Sequence, residues 1–389
     1  MGGRAGPPAR APRLIPGVIV ARVSNVSVAS IQPAVLGASA PRAAEKPWMI
    51  APGLDLVLFL GVTLLTIIPW VVADVLHYPG WYVILGVGIA NGPHLISTWT
   101  RVYLVPGERF KYPMRYWVIP GAALAFSIAA SAEGGMWLRL IRSTIFYWAT
   151  WHFVAQSWGV LRIYQRKHGA AERTEARLEK ALVFLPAFWC ALHRLFTGPW
   201  TLFNVEVIHV NPPALLVNGL GTLILAIAAV YLVVFLQASR GRATHEWIRP
   251  VYLLLNFFGF AMPFLVIRDG DAAFAAAALW HAVQYIAIVW LFNARRYSGG
   301  IDPQARLMSW VSQRGRALAY MGLIAACAAV VYIVAFGASF FVHRPFDEIA
   351  LTFWTGFTLG HYYLDGTIWK SRKYDLRTLT TNNPAPTAA

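Results

Sequence analysis

Apolar residues run through this chain in stretches of about 20, the length a helix needs to cross about 30 Å of hydrocarbon. Ten such stretches follow one another: Leu54–Leu76, Trp81–Leu104, Tyr116–Ala132, Met136–Val160, Ala181–Phe196, Leu215–Leu236, Val251–Ile267, Ala272–Phe292, Leu318–Phe336 and Ile349–Trp369. They show no sustained alternation of polar and apolar residues. A backbone inside a bilayer must also satisfy its own hydrogen bonds, so the expectation is an all-α, polytopic membrane bundle and not a barrel. The composition agrees, with 58% hydrophobic and 13% charged residues.

Basic residues are retained on the cytoplasmic side of a membrane, and here they alternate cleanly between connections. Arg109, Lys111 and Arg115 follow the second stretch, and Arg162, Arg166, Lys167, Arg173, Arg177 and Lys180 follow the fourth. Arg240, Arg242 and Arg249 follow the sixth, Arg295, Arg296, Arg306, Arg314 and Arg316 the eighth, and Lys370, Arg372, Lys373 and Arg377 the tenth. The opposite connections carry single charges such as Arg194, Arg268 and Arg344. Both termini are therefore predicted to be cytoplasmic. The same pattern accounts for the net charge of +16 without nucleic acid, and the lipid bilayer is the natural partner.

Residues 1–47 are rich in Ala, Pro, Arg, Ser and Val and lack a sustained apolar run, which reads as a disordered extension. Arg22 interrupts the region that a cleavable signal ending at Ala38-Ser39-Ala40 would need. Residues 48–375 form the expected transmembrane domain, and 376–389 a disordered tail. Cys190 and Cys327 lie inside the fifth and ninth stretches without CxxC spacing, so neither a disulfide framework nor a thiolate zinc site is expected.

Ionisable side chains are costly inside a membrane and mark function by default. Four of the ten histidines, His94, His152, His281 and His361, lie inside apolar stretches, each 7 to 14 residues before a basic flank. At 1.5 Å per residue that places all four roughly 10–20 Å below one membrane surface. Each has a polar companion at helical spacing: Thr98 for His94, Gln156 for His152, Gln284 for His281 and Asp365 for His361. Such groups orient an imidazole, fix its tautomer or ligate beside it. The same polar groups would also suit structural bonding between helices. His77, His168, His193, His209, His245 and His343 fall in connections or at the ends of stretches, where surface roles are the default.

Imidazole and oxygen donors without thiolate fit iron, zinc or copper, and a redox role favours non-haem iron. Haem held by paired histidines is an alternative cofactor. Asp365 reads as a ligand, as an acceptor for the His361 proton, or as an interfacial partner of Lys370; Arg101 reads as an interfacial arginine, and Asp55 and Asp74 as markers of the ends of the first stretch. A transporter is the alternative class of function, since intramembrane His, Asp and Arg can line an ion path. Walker loops, HExxH, GxSxG and dinucleotide fingerprints are absent.

The motifs Asn91-Gly92-Pro93-His94, Trp151-His152, Trp280-His281-Ala282-Val283-Gln284-Tyr285 and Gly360-His361-Tyr362-Tyr363-Leu364-Asp365 resemble the intramembrane histidine motifs of bacterial Brp/Blh-type carotenoid-cleaving oxygenases. In that family histidines on several spans hold iron, and dioxygen splits the central double bond of β-carotene to give retinal. The resemblance implies that His94, His152, His281 and His361 are metal ligands, and the helical spacing of Asp365, Gln156 and Gln284 beside them makes those three the candidate catalytic residues. It also implies a hydrophobic small-molecule substrate, with an electron donor undefined, and a location in the bacterial cytoplasmic (inner) membrane. Leu95-Ile96-Ser97-Thr98 stands where the family places Gly and Asp after its Pro-His.

Overall fold

Lipid offers no hydrogen bonds to a backbone, and the chain meets that constraint almost entirely with helices. The computed structural model describes residues 2, 48–77, 91–105, 108–168, 173–240 and 244–369. Two compact units divide the chain between Ala44 and Glu45, and every element named below belongs to the second. The disorder expected of residues 1–47 and 376–389, and the first half of the stretch Trp81–Leu104, lie outside the described residues.

Each of the ten apolar stretches, in its described part, falls largely on a helix. In chain order these are α1 (Pro52–Ala73), α2 (Gly92–Tyr103), α3 (Ile119–Glu133), α4 (Gly135–Lys167), α5 (Arg173–Phe196), α6 (Ala214–Ser239), α7 (Ile248–Ala261), α8 (Gly270–Arg296), α9 (Ala317–Val342) and α10 (Phe346–Ile368). Met262–Val266 prolongs α7, and a short hairpin of β1 (Thr201–Leu202) and β2 (Val205–Glu206) follows α5. By length and apolar content α1, α6, α7 with its extension, α8 and α9 can each cross a membrane. Among the others, α2 and α3 have only 12 and 15 α-helical residues, and α4, α5 and α10 carry more polar residues, as a helix that buries part of its surface against other helices can. Helix boundaries also overrun the apolar stretches. The 33 residues of α4 span about 50 Å, so its basic end projects beyond about 30 Å of hydrocarbon.

Small residues bring the central helices together. Ala272, Ala273 and Ala275 to Ala278 are all buried on α8. One turn on, the indole of Trp280 fills the space over Gly259, where a Cβ would come within 2.8 Å of the ring, and its Nε1 donates to the Gly259 carbonyl at 3.1 Å. On α10, Gly356 accepts Leu124 of α3 and Gly360 accepts Trp99 of α2 at similarly short range.

Charges at the basic end are buried in compensated groups. Arg249 on α7 meets Glu175 at 2.8 Å and Glu179 at 3.1 Å on α5, with Glu246 at 3.3 Å. Asp55 departs from its expected place as a boundary marker: it is fully buried, accepting from the backbone N–H of Met49 at 2.6 Å and Ile50 at 2.8 Å and from Tyr164 Oη at 3.0 Å. An acid near a helix start here serves the preceding backbone, which would otherwise bury unbonded donors.

The helices that carry the four histidines run parallel. Between α4 and α10, Arg142 bonds Thr355 near the hairpin and His152 meets His361 deeper in. Between α2 and α10, Gly92 faces Trp354, Thr98 faces His361 and Arg101 faces Trp369. On α8, Asp271 accepts from the Phe203 N–H of the hairpin, and Tyr285 Oη lies 2.6 Å from Thr98 Oγ1. One end of this four-helix group therefore carries the hairpin, and the other carries the basic residues.

Candidate metal centre

Parallel packing at matched depth brings all four predicted histidines into one group. One ligand nitrogen from each of His94, His152, His281 and His361 lies within 4.8 Å of the others. The rings meet edge to face, with centroids 4.5 Å apart for His94 and His361, 4.8 Å for His152 and His361, and 4.9 Å for His281 with either His94 or His152. All four are buried, His281 and His361 completely. His77, His168, His193, His209 and His343 stand outside the group, as expected of residues in connections.

Buried polar atoms are nearly always hydrogen-bonded, so exceptions need a cause. Among the described residues no hydrogen bond reaches either ring nitrogen of His281 or Nδ1 of His94. Four imidazolium charges this close would repel one another, whereas neutral rings present lone pairs. His361 Nε2 and His152 Nε2 are 3.1 Å apart. Two nitrogens sharing a metal at about 2.0–2.1 Å are about 2.9–3.4 Å apart for right-angle to tetrahedral geometry. The buried four-histidine group can hold a metal ion.

Hydrogen bonds on the basic-end side fix the state of His361. Asp365 Oδ1 accepts from Tyr285 Oη at 2.5 Å and from Thr98 Oγ1 at 2.9 Å. Thr98 has then used its single proton, so at 2.8 Å its oxygen accepts from His361 Nδ1–H. That tautomer leaves the Nε2 lone pair facing His152. Trp369 Nε1 donates to Tyr285 Oη at 3.1 Å, and Arg101 lies over the rings of Trp369 at 4.0 Å and Phe292 at 4.2 Å. The other carboxylate oxygen, Oδ2, is 3.8 Å from His361 Nε2 and 3.9 Å from His152 Nε2. Asp365 thus places one negative charge beside the nitrogen group, where a bound cation would need it.

Asp365 is 6% exposed and hydrogen-bonded in the interior, while Lys370, the other expected partner, lies outside the described residues. Arg101, in the last turn of α2, is also 6% exposed and stacked between aromatic rings. Gln156 and Gln284 stand near the histidines but bind backbone. Gln156 Nε2 donates to the His281 carbonyl at 3.0 Å, and Gln284 Nε2 donates to the Phe59 carbonyl at 2.9 Å, with Tyr252 Oη 3.5 Å from its Oε1. Among the described residues neither side chain hydrogen-bonds an imidazole.

Tyr285 and Trp369, to which the sequence assigned no role, also enter the network. Their signal is positional: Tyr285 follows His281 by four residues and Trp369 follows Asp365 by four, which puts each on the face of a site residue.

The hairpin side has the opposite character. A cavity of about 40 Å³ reaches from His94 between α4, α8 and α10 to Phe203 of the hairpin. Phe153, Phe274, Trp354 and Tyr362 supply much of its wall, with Asn91, Thr355 and Thr358 as polar members beside His94. On the same measure one water needs about 10–15 Å³, so the space admits a few small molecules or a thin chain.

No protein-family model, curated protein or solved structure matches this chain.

Proposed function

We propose that this chain is an integral membrane, non-haem iron oxygenase acting on a hydrophobic substrate. The observation that carries the reading is the group of four buried imidazoles, with His281 bonded at neither ring nitrogen and the Asp365 carboxylate alongside. Neutral nitrogen donors with a carboxylate and no thiolate suit iron, and zinc shares much of that preference. When bound, iron would supply the redox chemistry that dioxygen needs, and the resemblance to carotenoid-cleaving oxygenases points to oxidative cleavage of a carbon–carbon double bond. Both oxygen atoms then end in the two carbonyl products, so no external reductant is consumed.

The residues of the chain divide the remaining work. Asp365 and Thr98 hold His361 as the Nδ1–H tautomer and present its Nε2. Tyr285 and Trp369 close the network toward the basic end. Gln156 and Gln284 act as positioning residues, tying α4 and α1 to α8 through carbonyls of the backbone. The apolar cavity admits dioxygen and substrate while excluding water, and a membrane-dissolved substrate need not cross an aqueous phase. In this reading all ten helices cross the membrane, the basic end faces the cytoplasm, and the membrane is the bacterial inner membrane.

Two other classes receive less support. Axial imidazoles on one haem are separated by the macrocycle, whereas here each ring touches its neighbours at 4.5–4.9 Å. A transporter requires polar groups through both halves of the membrane, yet the hairpin side of the histidines is mostly apolar.

Elemental analysis of detergent-purified protein, with an absorption spectrum of the same sample, tests the proposal. Stoichiometric iron without a haem band is expected. A chain that binds no transition metal, and whose behaviour is unchanged by chelators, would sink it.

A further inference from the structure

Three arginines are buried among the described residues, and the two most deeply buried differ in their surroundings. Arg249 is 1% exposed and has three glutamates within ion-pair distance. Arg142 is 3% exposed and, among the described residues, has no carboxylate within that distance. Its NH1 donates to Thr355 Oγ1, its guanidinium carbon stands 5.5 Å from the centre of the Phe203 ring, and its Nε has no hydrogen-bond partner. Asp271 acts on it only through space, with Oδ1 occupied by the Phe203 N–H at 2.5 Å. A buried guanidinium with one hydroxyl and one ring face is far short of its five donors, and an uncompensated charge at such depth calls for an anion.

Thr355 and Phe203, the two groups that Arg142 touches, are walls of the cavity that ends at His94. Arg142 and His152 are ten residues apart on the single helix α4, so roughly 15 Å separates the two along its axis. The cavity reaches these two residues through their neighbours and holds about 40 Å³, a volume that suits one unbranched chain better than a polyene with bulky rings at its ends.

We propose that the cavity binds an anionic amphiphile, with its oxoacid head on Arg142 and its apolar chain extending toward the four histidines. This rests on the proposed oxygenase reading for what happens at the far end, and names the class of substrate that the site would take. Arg142 anchors the head bidentately, because a guanidinium presents paired donors to a carboxylate or phosphate. Phe153, Phe274 and Tyr362 flank the chain, and its length sets which carbon lies beside the histidines. A carboxylate and a phosphate share the required chemistry, so a free fatty acid and a phosphate-headed lipid are the two possible sources.

Equilibrium dialysis of the purified full-length protein against radiolabelled palmitate, hexadecyl phosphate and hexadecanol separates these cases. Wild type should bind at least one of the two anions more tightly than the neutral alcohol. Palmitate alone identifies a carboxylate head, and the phosphate alone identifies a lipid phosphate. Arg142→Gln should weaken anion binding by about tenfold or more while leaving hexadecanol unaffected, as expected for loss of a charged hydrogen bond. Arg142→Lys, which keeps the charge but loses the paired donors, should retain more anion binding than Arg142→Gln. Equal affinity for the anions and the alcohol, no anion binding at all, or full anion binding by Arg142→Gln would overturn the proposal. Metal content measured on the same samples keeps the two readings apart: absence of iron counts against the oxygenase, whereas the dialysis result concerns Arg142 alone.

Discussion

Helices α6 and α8 are 26 and 27 residues long, and both are apolar enough to cross a membrane. Their fates differ: 6% of the apolar window of α6 is buried inside the protein, against 83% for α8. Leu215 and Leu225 of α6 point away from the protein at 86% and 72% exposure, and the helix is fastened to α5 through Trp189, whose Nε1 donates to the Val217 carbonyl at 3.0 Å, and through Tyr231, whose Oη donates to Glu179 at 3.2 Å. α8 instead presents small residues toward its neighbours, then Trp280, His281, Gln284 and Tyr285 in succession. Lipid tails are as apolar as leucine, so the hydrophobic effect does not distinguish these positions. Close approach and hydrogen bonding between helices do: α6 makes both toward α5, at Gly221 and Tyr231, whereas α8 makes them toward α1, α2, α4 and α7.

Four substitutions test that contrast. The largest effect is expected from His281→Ala on α8, which should remove most of the bound metal; elemental analysis showing full occupancy would break the link between helix burial and the site. Trp280→Ala should cost about 3–5 kcal/mol, the usual range for emptying a buried aromatic site, read as a lowered unfolding midpoint in detergent. Asp365→Asn removes the charge beside the nitrogens while keeping the side chain's shape. A loss of about 10–100-fold in metal affinity is expected by competition with a chelator, with the unfolding midpoint much less affected. Leu225→Ala on α6 should change stability by less than about 0.5 kcal/mol, because its side chain meets lipid and not protein. An effect on Leu225 as large as that on Trp280 would mean that α6 is covered by another protein surface.

Much of the site was legible because helical periodicity and depth are both linear in sequence. His94, His152, His281 and His361 could be placed at one level by counting residues to the next basic cluster, and their companions by spacing along each helix. The partners of those companions could not be found by counting. Gln156 reads in sequence as an attendant of His152, yet its amide crosses to the His281 carbonyl on another helix. Asp365 reads as the partner of His361, and its Oδ1 is instead shared between Thr98 and Tyr285, which reach it from α2 and α8. Arg142 lay inside an expected span without attracting notice, since its meaning depends on which acids stand near it.

Apolar run length and the placement of basic residues, read from the sequence alone, determine that this chain is helical, that it belongs in a membrane, and that four histidines share one depth. Hydrocarbon thickness and backbone hydrogen bonding impose those outcomes on any chain with this pattern. The rotation of each helix about its axis was decided only in the tertiary structure, through the fit of Trp280 to Gly259 and of Gly356 and Gly360 to Leu124 and Trp99. Rotation is what turns four histidines at one level into four nitrogens within 4.8 Å, and it is set by side-chain volumes meeting across helices that are far apart in sequence.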